Sequence, residues 1–146
     1  ALVSFGYIGK PSTRNDFAGN VCSMTAIAFK EFIANLFREM GYAVEITPGT
    51  GDNGIDLLLR KNNQLIAVQC KRLSSPVGEP VVRDFYSALM SSGAQSGYVI
   101  TTSTFTSHAY SFAEGKRIQL VDLEALMDLA ARRSGKAPGS GKQKTR

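Results

Sequence analysis

Apolar residues recur along this chain with two different periods. From Thr25 to Met40 they fall at Phe29, Phe32, Ile33, Leu36, Phe37 and Met40. That is helical spacing with a wide apolar stripe, and Gly41 closes the segment. Tyr42–Thr47 reads as a short strand, followed by the loop PGTGDNG. Ile55–Arg60 and Leu65–Lys71 are apolar at nearly every position, as strands buried on both faces are. Lys61–Gln64 between them is a hairpin-length connection. Pro80 is placed to open a helix with Val81, Val82, Phe85, Ala88 and Leu89 on its apolar face and Gly93 at its end. Gly97–Thr102 is a β-rich strand, Thr106 caps a helix over Ser107–Glu114, Ile118–Val121 is a last strand, and Asp122 caps a final helix to about Arg132. Ala109, Phe112 and Ala113 are the inward residues of the short helix. Residues 1–24, with Gly6, Gly9, Pro11 and Gly19, read as irregular. The order αβββαβαβα predicts an α/β domain over 25–132. Its sheet carries helices on both faces and is mixed rather than all parallel because of the hairpin.

Composition changes this picture little. A chain of 146 residues, 43% hydrophobic and 20% charged, suits one globular domain. No run of eighteen apolar residues exists, so no membrane span is expected. The N-terminal ALVSFGYIGKPSTRNDF lacks the basic and apolar regions of a signal peptide. It does not begin with Met, which fits a processed form or a piece of something longer. Cys22 and Cys70 have no metal-type spacing and fit reduced thiols in a cytoplasmic protein. The net charge of +5 is uneven: six of the 17 basic residues follow the last acid, Asp128, leaving eleven against the 12 acidic residues up to and including it. The high pI therefore belongs to the end of the chain. Residues 133–146 read as a disordered basic tail, either a solubilising segment or a non-specific phosphate-binding one.

Three polar residues break the greasy strands. Asp56 starts the first, and Gln69 and Lys71 close the second. Buried Asp and Lys are rare unless paired or used. A loop of Lys61–Gln64 sets Arg60 opposite Leu65, and counting back sets Asp56 opposite Gln69. Opposite residues share a face, and Lys71, two beyond Gln69, shares it too. The other face would carry Ile55, Leu57, Leu59, Ile66, Val68 and Cys70, uniformly apolar. The group suits phosphodiester hydrolysis. Asp56, the Gln69 side-chain carbonyl and the backbone carbonyl of Cys70 are hard oxygen ligands for Mg²⁺ (or Mn²⁺). Lys71 would position or deprotonate a water and offset transition-state charge. The alternative is a buried Asp–Lys pair that only satisfies itself.

The string GDNGID…VQCKR, preceded by F-x-x-F-I-x-x-L-F-x-x-M-GYAVEIT and followed by VVRDFYSALM…GYVITTSTFT…A…FAEG…IQLVD, resembles the catalytic domain of Mrr-type restriction endonucleases, in the PD-(D/E)XK nuclease superfamily. The resemblance runs from about Phe29 to Leu129. It implies a three-layer α/β/α sandwich around a mixed sheet and Mg²⁺-dependent endonuclease cleavage of double-stranded DNA. It also implies restriction of foreign or modified DNA, often with a separate domain that recognises methylation. Residue by residue it maps the catalytic Asp onto Asp56, the usual Glu onto Gln69 and the Lys onto Lys71. One position departs. The family's first helix carries Glu directly after the Phe matched by Phe29, and here Lys30 stands there. Glu31 is adjacent, but at about 100° per residue it points away from the stripe that Lys30 flanks.

The remaining candidates carry less chemistry. Asp52 is a loop residue that could assist the ion or serve only the turn. Arg72, Arg83, Thr102 and Ser103 are candidate DNA contacts, the last two at a strand end where α/β ligand sites gather. His108, the only histidine, has no partner in the sequence for a triad or metal site. No P-loop or GxGxxG is present. Two classes of function follow: a nuclease, or a catalytically silent DNA-binding or assembly module on a nuclease fold. Double-stranded DNA is the expected partner of either, with a second copy of the chain and a separate recognition domain or subunit as further candidates.

Overall fold

The computed structural model describes residues 14–48 and 54–133. Asp52 and the tail beyond 133 lie outside them. The chain forms α1 (Arg14–Cys22), α2 (Ala26–Glu39), β1 (Ala43–Ile46), β2 (Leu57–Lys61), β3 (Gln64–Lys71), α3 (Glu79–Ser92), β4 (Ser96–Thr101), α4 (Ser107–Ala113), β5 (Ile118–Val121) and α5 (Leu123–Arg133). The sheet order is β1-β2-β3-β4-β5, antiparallel through β3 and parallel from β3 to β5. It is the mixed sheet that the hairpin requires.

Three helices, α2, α4 and α5, begin where a polar side chain takes an orphan N–H, whereas α3 starts at Gly78 with Pro80 in its first turn. Thr25 Oγ1 accepts from Ala28 N–H at 3.0 Å, Thr106 Oγ1 from Ala109 N–H at 3.1 Å, and Asp122 Oδ1 from Ala125 N–H at 2.9 Å. Gly93 ends α3 in the left-handed region at φ 84°.

Two cores sandwich the sheet. Phe29, Ile33, Leu36 and Phe37 of α2, with Leu126 of α5, pack on Leu57, Leu59, Ile66, Val68 and Ile100. Val82, Phe85 and Leu89 of α3 and Ala109 of α4 pack on Ala67 and Val99 from the other side. Strict alternation along β3 thus sends Ile66, Val68 and Cys70 toward α2, and Ala67 toward α3.

Three expectations need correction. Residues 14–22 are helical, not irregular. The sequence RNDFAGNVC has weak propensity, but Val21 is fully buried and Phe17 packs edge-on against Phe32 at 6.0 Å, so tertiary packing forms the helix. The hairpin loop is two residues long, because Lys61 pairs with Gln64 and Asn62 and Asn63 take φ of 54° and 66°. Asparagine tolerates this left-handed turn. One residue is added to each strand, so Arg60 still faces Leu65 and the register is unchanged. Ile55 packs with Leu58 in the α3-side core, not with Leu57 and Leu59. The chain bends between Ile55 and the first ladder residue, and alternation does not extend through the bend.

Gly97 shows how closely α3 approaches the sheet. A Cβ there would lie 2.6 Å from Phe85 Cζ and 3.0 Å from the Ala67 carbonyl oxygen. Gly97→Ala is expected to destabilise the domain by about 1–3 kcal/mol, the usual cost of overpacking. Pairing it with Phe85→Leu should recover part of that loss. Denaturant melts of the two single variants and the double check this, and simple additivity would refute the close approach.

Candidate active site

Asp56 lies just past the point where two strands part. The β2–β3 ladder ends at Leu57–Val68, and the next backbone bond runs from Asp56 N–H to the Val68 carbonyl at 2.7 Å. Beyond it the carboxylate replaces the ladder: Asp56 Oδ2 accepts the Cys70 N–H at 2.8 Å. Thr47 fixes the same residue from β1's end. Its N–H donates to the Asp56 carbonyl at 2.9 Å, and its hydroxyl reaches the Ile55 carbonyl at 2.7 Å and that of Asp56 at 3.2 Å. Gly54, at φ 131°, brings the loop against α3, where an added Cβ would meet the Ala88 Cβ at 2.9 Å.

The other oxygen of Asp56 is paired. Lys30 Nζ lies 3.5 Å from Oδ1. Lys30 flanks the apolar stripe of α2 and is half-buried, whereas Glu31 is exposed, as the helical wheel expects. Asp56 is 8% exposed and Gln69 4%. Among the described residues, Gln69 Oε1 is the buried side-chain oxygen left without a hydrogen-bond partner. Gln69 pairs with Val99 and shares the α3-side face with Ala67. Lys71 is half-buried at the end of β3, opposite Thr101, and follows the same alternation. Asp56 precedes the first ladder residue, and its carboxylate meets Lys30 from the α2 layer. It therefore sits at the sheet's end, between the Cys70 N–H and the Lys30 ammonium.

The other candidates separate. Arg72 is exposed just beyond β3. Arg83 forms an ion pair with Glu79 and stands 4.9 Å over the Phe112 ring, so its guanidinium is held on the α3–α4 surface. Thr102 is buried, and its hydroxyl is engaged with Leu73 on both sides, accepting from N–H at 3.1 Å and donating to C=O at 2.9 Å. Ser103 N–H donates to Thr101 Oγ1. His108 is exposed on α4. The sequence reading missed the direct Lys30–Asp56 contact and the role of Thr47. The first had a signal, the cation at the edge of the stripe; the second is a loop-to-loop contact with none.

A family model described as "Restriction endonuclease" (Mrr_cat) matches residues 21–130. The chain belongs to the Mrr-type restriction endonucleases. It is 34% identical over 119 residues to the "Type IV methyl-directed restriction enzyme EcoKMrr" of Escherichia coli (strain K12), covering 75% of this chain and 39% of that one. An "Uncharacterized protein y4cE" of Sinorhizobium fredii is 26% identical over 87 residues, 56% of this chain and 22% of its own. The chain thus spans well under half the length of either relative. Among solved structures, the "DNA modification-dependent restriction endonuclease AspBHI" aligns with TM-score 0.63 at 18% identity, over 92% of this chain and 39% of that one. The "MspJI Restriction Endonuclease in Complex with 27-mer Oligonucleotide" aligns with TM-score 0.64 at 17% identity, over 97% and 37%. At such identities the likeness is one of fold, and that fold is the three-layer PD-(D/E)XK sandwich. Among the described residues of this Mrr-type domain no helix is long and apolar enough to cross a membrane.

The Cys70 thiol is pushed well above the usual thiol range, first by burial and then by the Asp56 charge beside it, with Lys30 pulling the other way. Its reactive thiolate is therefore scarce at pH 8. A disulfide-exchange reagent at pH 8 is expected to label exposed Cys22 quickly and Cys70 only after denaturation. Two thiols reacting at one fast rate in the folded protein would contradict the burial.

Proposed function

We propose that this domain is a divalent-metal-dependent DNA endonuclease that restricts foreign or modified DNA in the cytoplasm. The observation that carries the reading is the orphaned Gln69 Oε1, buried two residues before Lys71 and on the strand next to Asp56. A buried acceptor with no donor costs about 1–3 kcal/mol, and a cation relieves that cost. Among the described residues no three His, Cys, Asp or Glu side chains cluster. An ion here would lean on one carboxylate, the Gln69 amide oxygen and the Cys70 backbone carbonyl, all hard oxygen donors that fit Mg²⁺ or Mn²⁺. When bound, such an ion supplies positive charge against the attacked phosphate. Asp56 holds the ion's side of the site, anchored by Cys70 N–H. Lys71, as an ammonium, would orient the attacking water by hydrogen bonding and offset the negative charge that builds on the phosphoryl oxygens. Arg72 and Ser103, just beyond the ends of β3 and β4, are the residues offered to the DNA backbone.

A second reading, a DNA-binding or assembly module without catalysis, is favoured by the Lys30–Asp56 pair. It neutralises the anionic ligand and places an ammonium where the family resemblance expects a Glu. A full protein would add recognition through another domain, a partner subunit or a second copy.

Plasmid nicking with Mg²⁺ or Mn²⁺, on methylated and unmethylated DNA with a chelator control, tests the reading. Asp56→Ala and Lys71→Ala are each expected to lower cleavage roughly 100-fold or more. Lys71→Ala should keep or raise ion affinity, because a nearby cation is gone. Lys30→Glu should raise both ion affinity, read by calorimetry, and cleavage, because it removes the ammonium and adds a carboxylate. If neither wild type nor Lys30→Glu cuts while DNA binding persists, the module reading stands.

A further inference from the structure

We propose that Thr102 is a positioning residue: its hydroxyl holds the chain beyond Lys71 in place and so aims Lys71 into the active site. The inference rests on the nuclease reading and adds a residue to it. The β3–β4 ladder ends at Lys71–Thr101. Residues 72–76, which follow, are all exposed. Such a segment has no packing of its own to fix the direction of the lysine that precedes it. Thr102 supplies the hold. Its N–H donates to the Lys71 carbonyl at 3.3 Å, and its buried side chain takes both the N–H and the carbonyl of Leu73. One hydroxyl thus stands in for a ladder residue and extends the pairing two residues past the strand.

The corner that carries Thr102 is itself anchored. Thr101 Oγ1 accepts from Ser103 N–H at 3.1 Å, and the Ser103 carbonyl accepts from Leu123 N–H at 3.2 Å at the start of α5. Val77 N–H donates to the Thr104 carbonyl at 2.8 Å and the Val77 carbonyl accepts from Thr106 N–H at 3.0 Å, closing the exposed segment at its far end. Residues 72–76 therefore hang between two backbone clamps, and Thr102 is the clamp adjoining Lys71. A hydroxyl with both its donor and one acceptor direction committed to Leu73 serves as an internal brace, not as a phosphate contact.

The test is cleavage kinetics with saturating divalent ion, together with amide exchange at Leu73. Thr102→Val keeps the shape and removes the hydroxyl. It should lower kcat about tenfold or more, the effect of a misplaced catalytic group, with a smaller change in KM for DNA, and Leu73 should lose exchange protection. Thr102→Ser should restore both. Should Thr102→Val not fold, Leu73→Pro removes the N–H donor at an exposed position and should lower kcat likewise. Wild-type cleavage rates in the Val or Pro variant overturn the inference, as does a loss in Thr102→Ser as large as in Thr102→Val. A wild-type protein that cuts no DNA is a different failure: it removes the nuclease reading, and this inference falls with it.

Discussion

Where two antiparallel strands part, backbone N–H groups that would have closed the next ladder pair lose their partners, and a buried one cannot be left so. In this domain β2 and β3 part at Leu57–Val68, and the group at risk is the Cys70 N–H between Gln69 and Lys71. Asp56 satisfies it with a side chain. A residue without a side-chain acceptor there would leave the amide unpaired at a cost of about 1–3 kcal/mol. The carboxylate is thereby set beside the two residues that flank Cys70, whatever the distal chemistry asks. Thr47 and Gly54 serve the same end, fixing the backbone on either side of the bend that brings Asp56 into place. The separation of two strands and the assembly of a polar site are one structural event.

The charge around that carboxylate differs from what a two-carboxylate site would have. Lys30 sits 3.5 Å from one oxygen, with the two side chains 22% and 12% exposed. A partly exposed pair of this kind adds little to stability, on the order of 1 kcal/mol or less. Its consequence lies in competition. Any cation approaching Asp56 must displace or tolerate an ammonium that is covalently tethered to α2. A polyanion meets the opposite balance. On the proposed reading, such a balance favours an ion that arrives with phosphate over an ion that arrives alone.

Much of this was legible in the sequence, for identifiable reasons. The periods of the apolar residues placed every strand to within two residues, because both faces of β2 and β3 are covered and leave an unbroken apolar run. The register survived a wrong loop length because Lys61 and Gln64 joined the ladder as a pair. The Thr106 and Asp122 caps were readable because a cap is a local interaction. The helix over Arg14–Cys22 was not: its Asn and Gly residues argue against helix, and only Val21 and Phe17, packing on distant residues, overcome that. Ile55 was put on the wrong face because alternation was carried through a bend that no residue type announces. Lys30 was located on its helix, but its contact with Asp56 depends on how α2 lies across the sheet, which no spacing encodes. Thr102 looked like a surface hydroxyl at a ligand-binding corner, and only tertiary structure shows Leu73 occupying it.

Gln69 is where structural and functional explanations separate most cleanly. Its neighbours on the α3-side face are Ala67 and, across the ladder, Val99, and it is 4% exposed. A purely structural residue in that place would be apolar, since a buried amide loses hydration and gains nothing without a partner. The amide oxygen has no donor within the described protein. Asp56, by contrast, would be retained by structure alone, because Cys70 N–H needs it. Lys71 at a strand end can reach solvent and needs no explanation either. A buried water could satisfy Gln69, but a water is served equally well by Ser or Thr, which have shorter side chains with less rotamer entropy to lose. A long amide that carries its oxygen away from the backbone is suited to a ligand standing off the sheet. Of the three residues, it is the neutral one whose buried oxygen has no partner within the described protein.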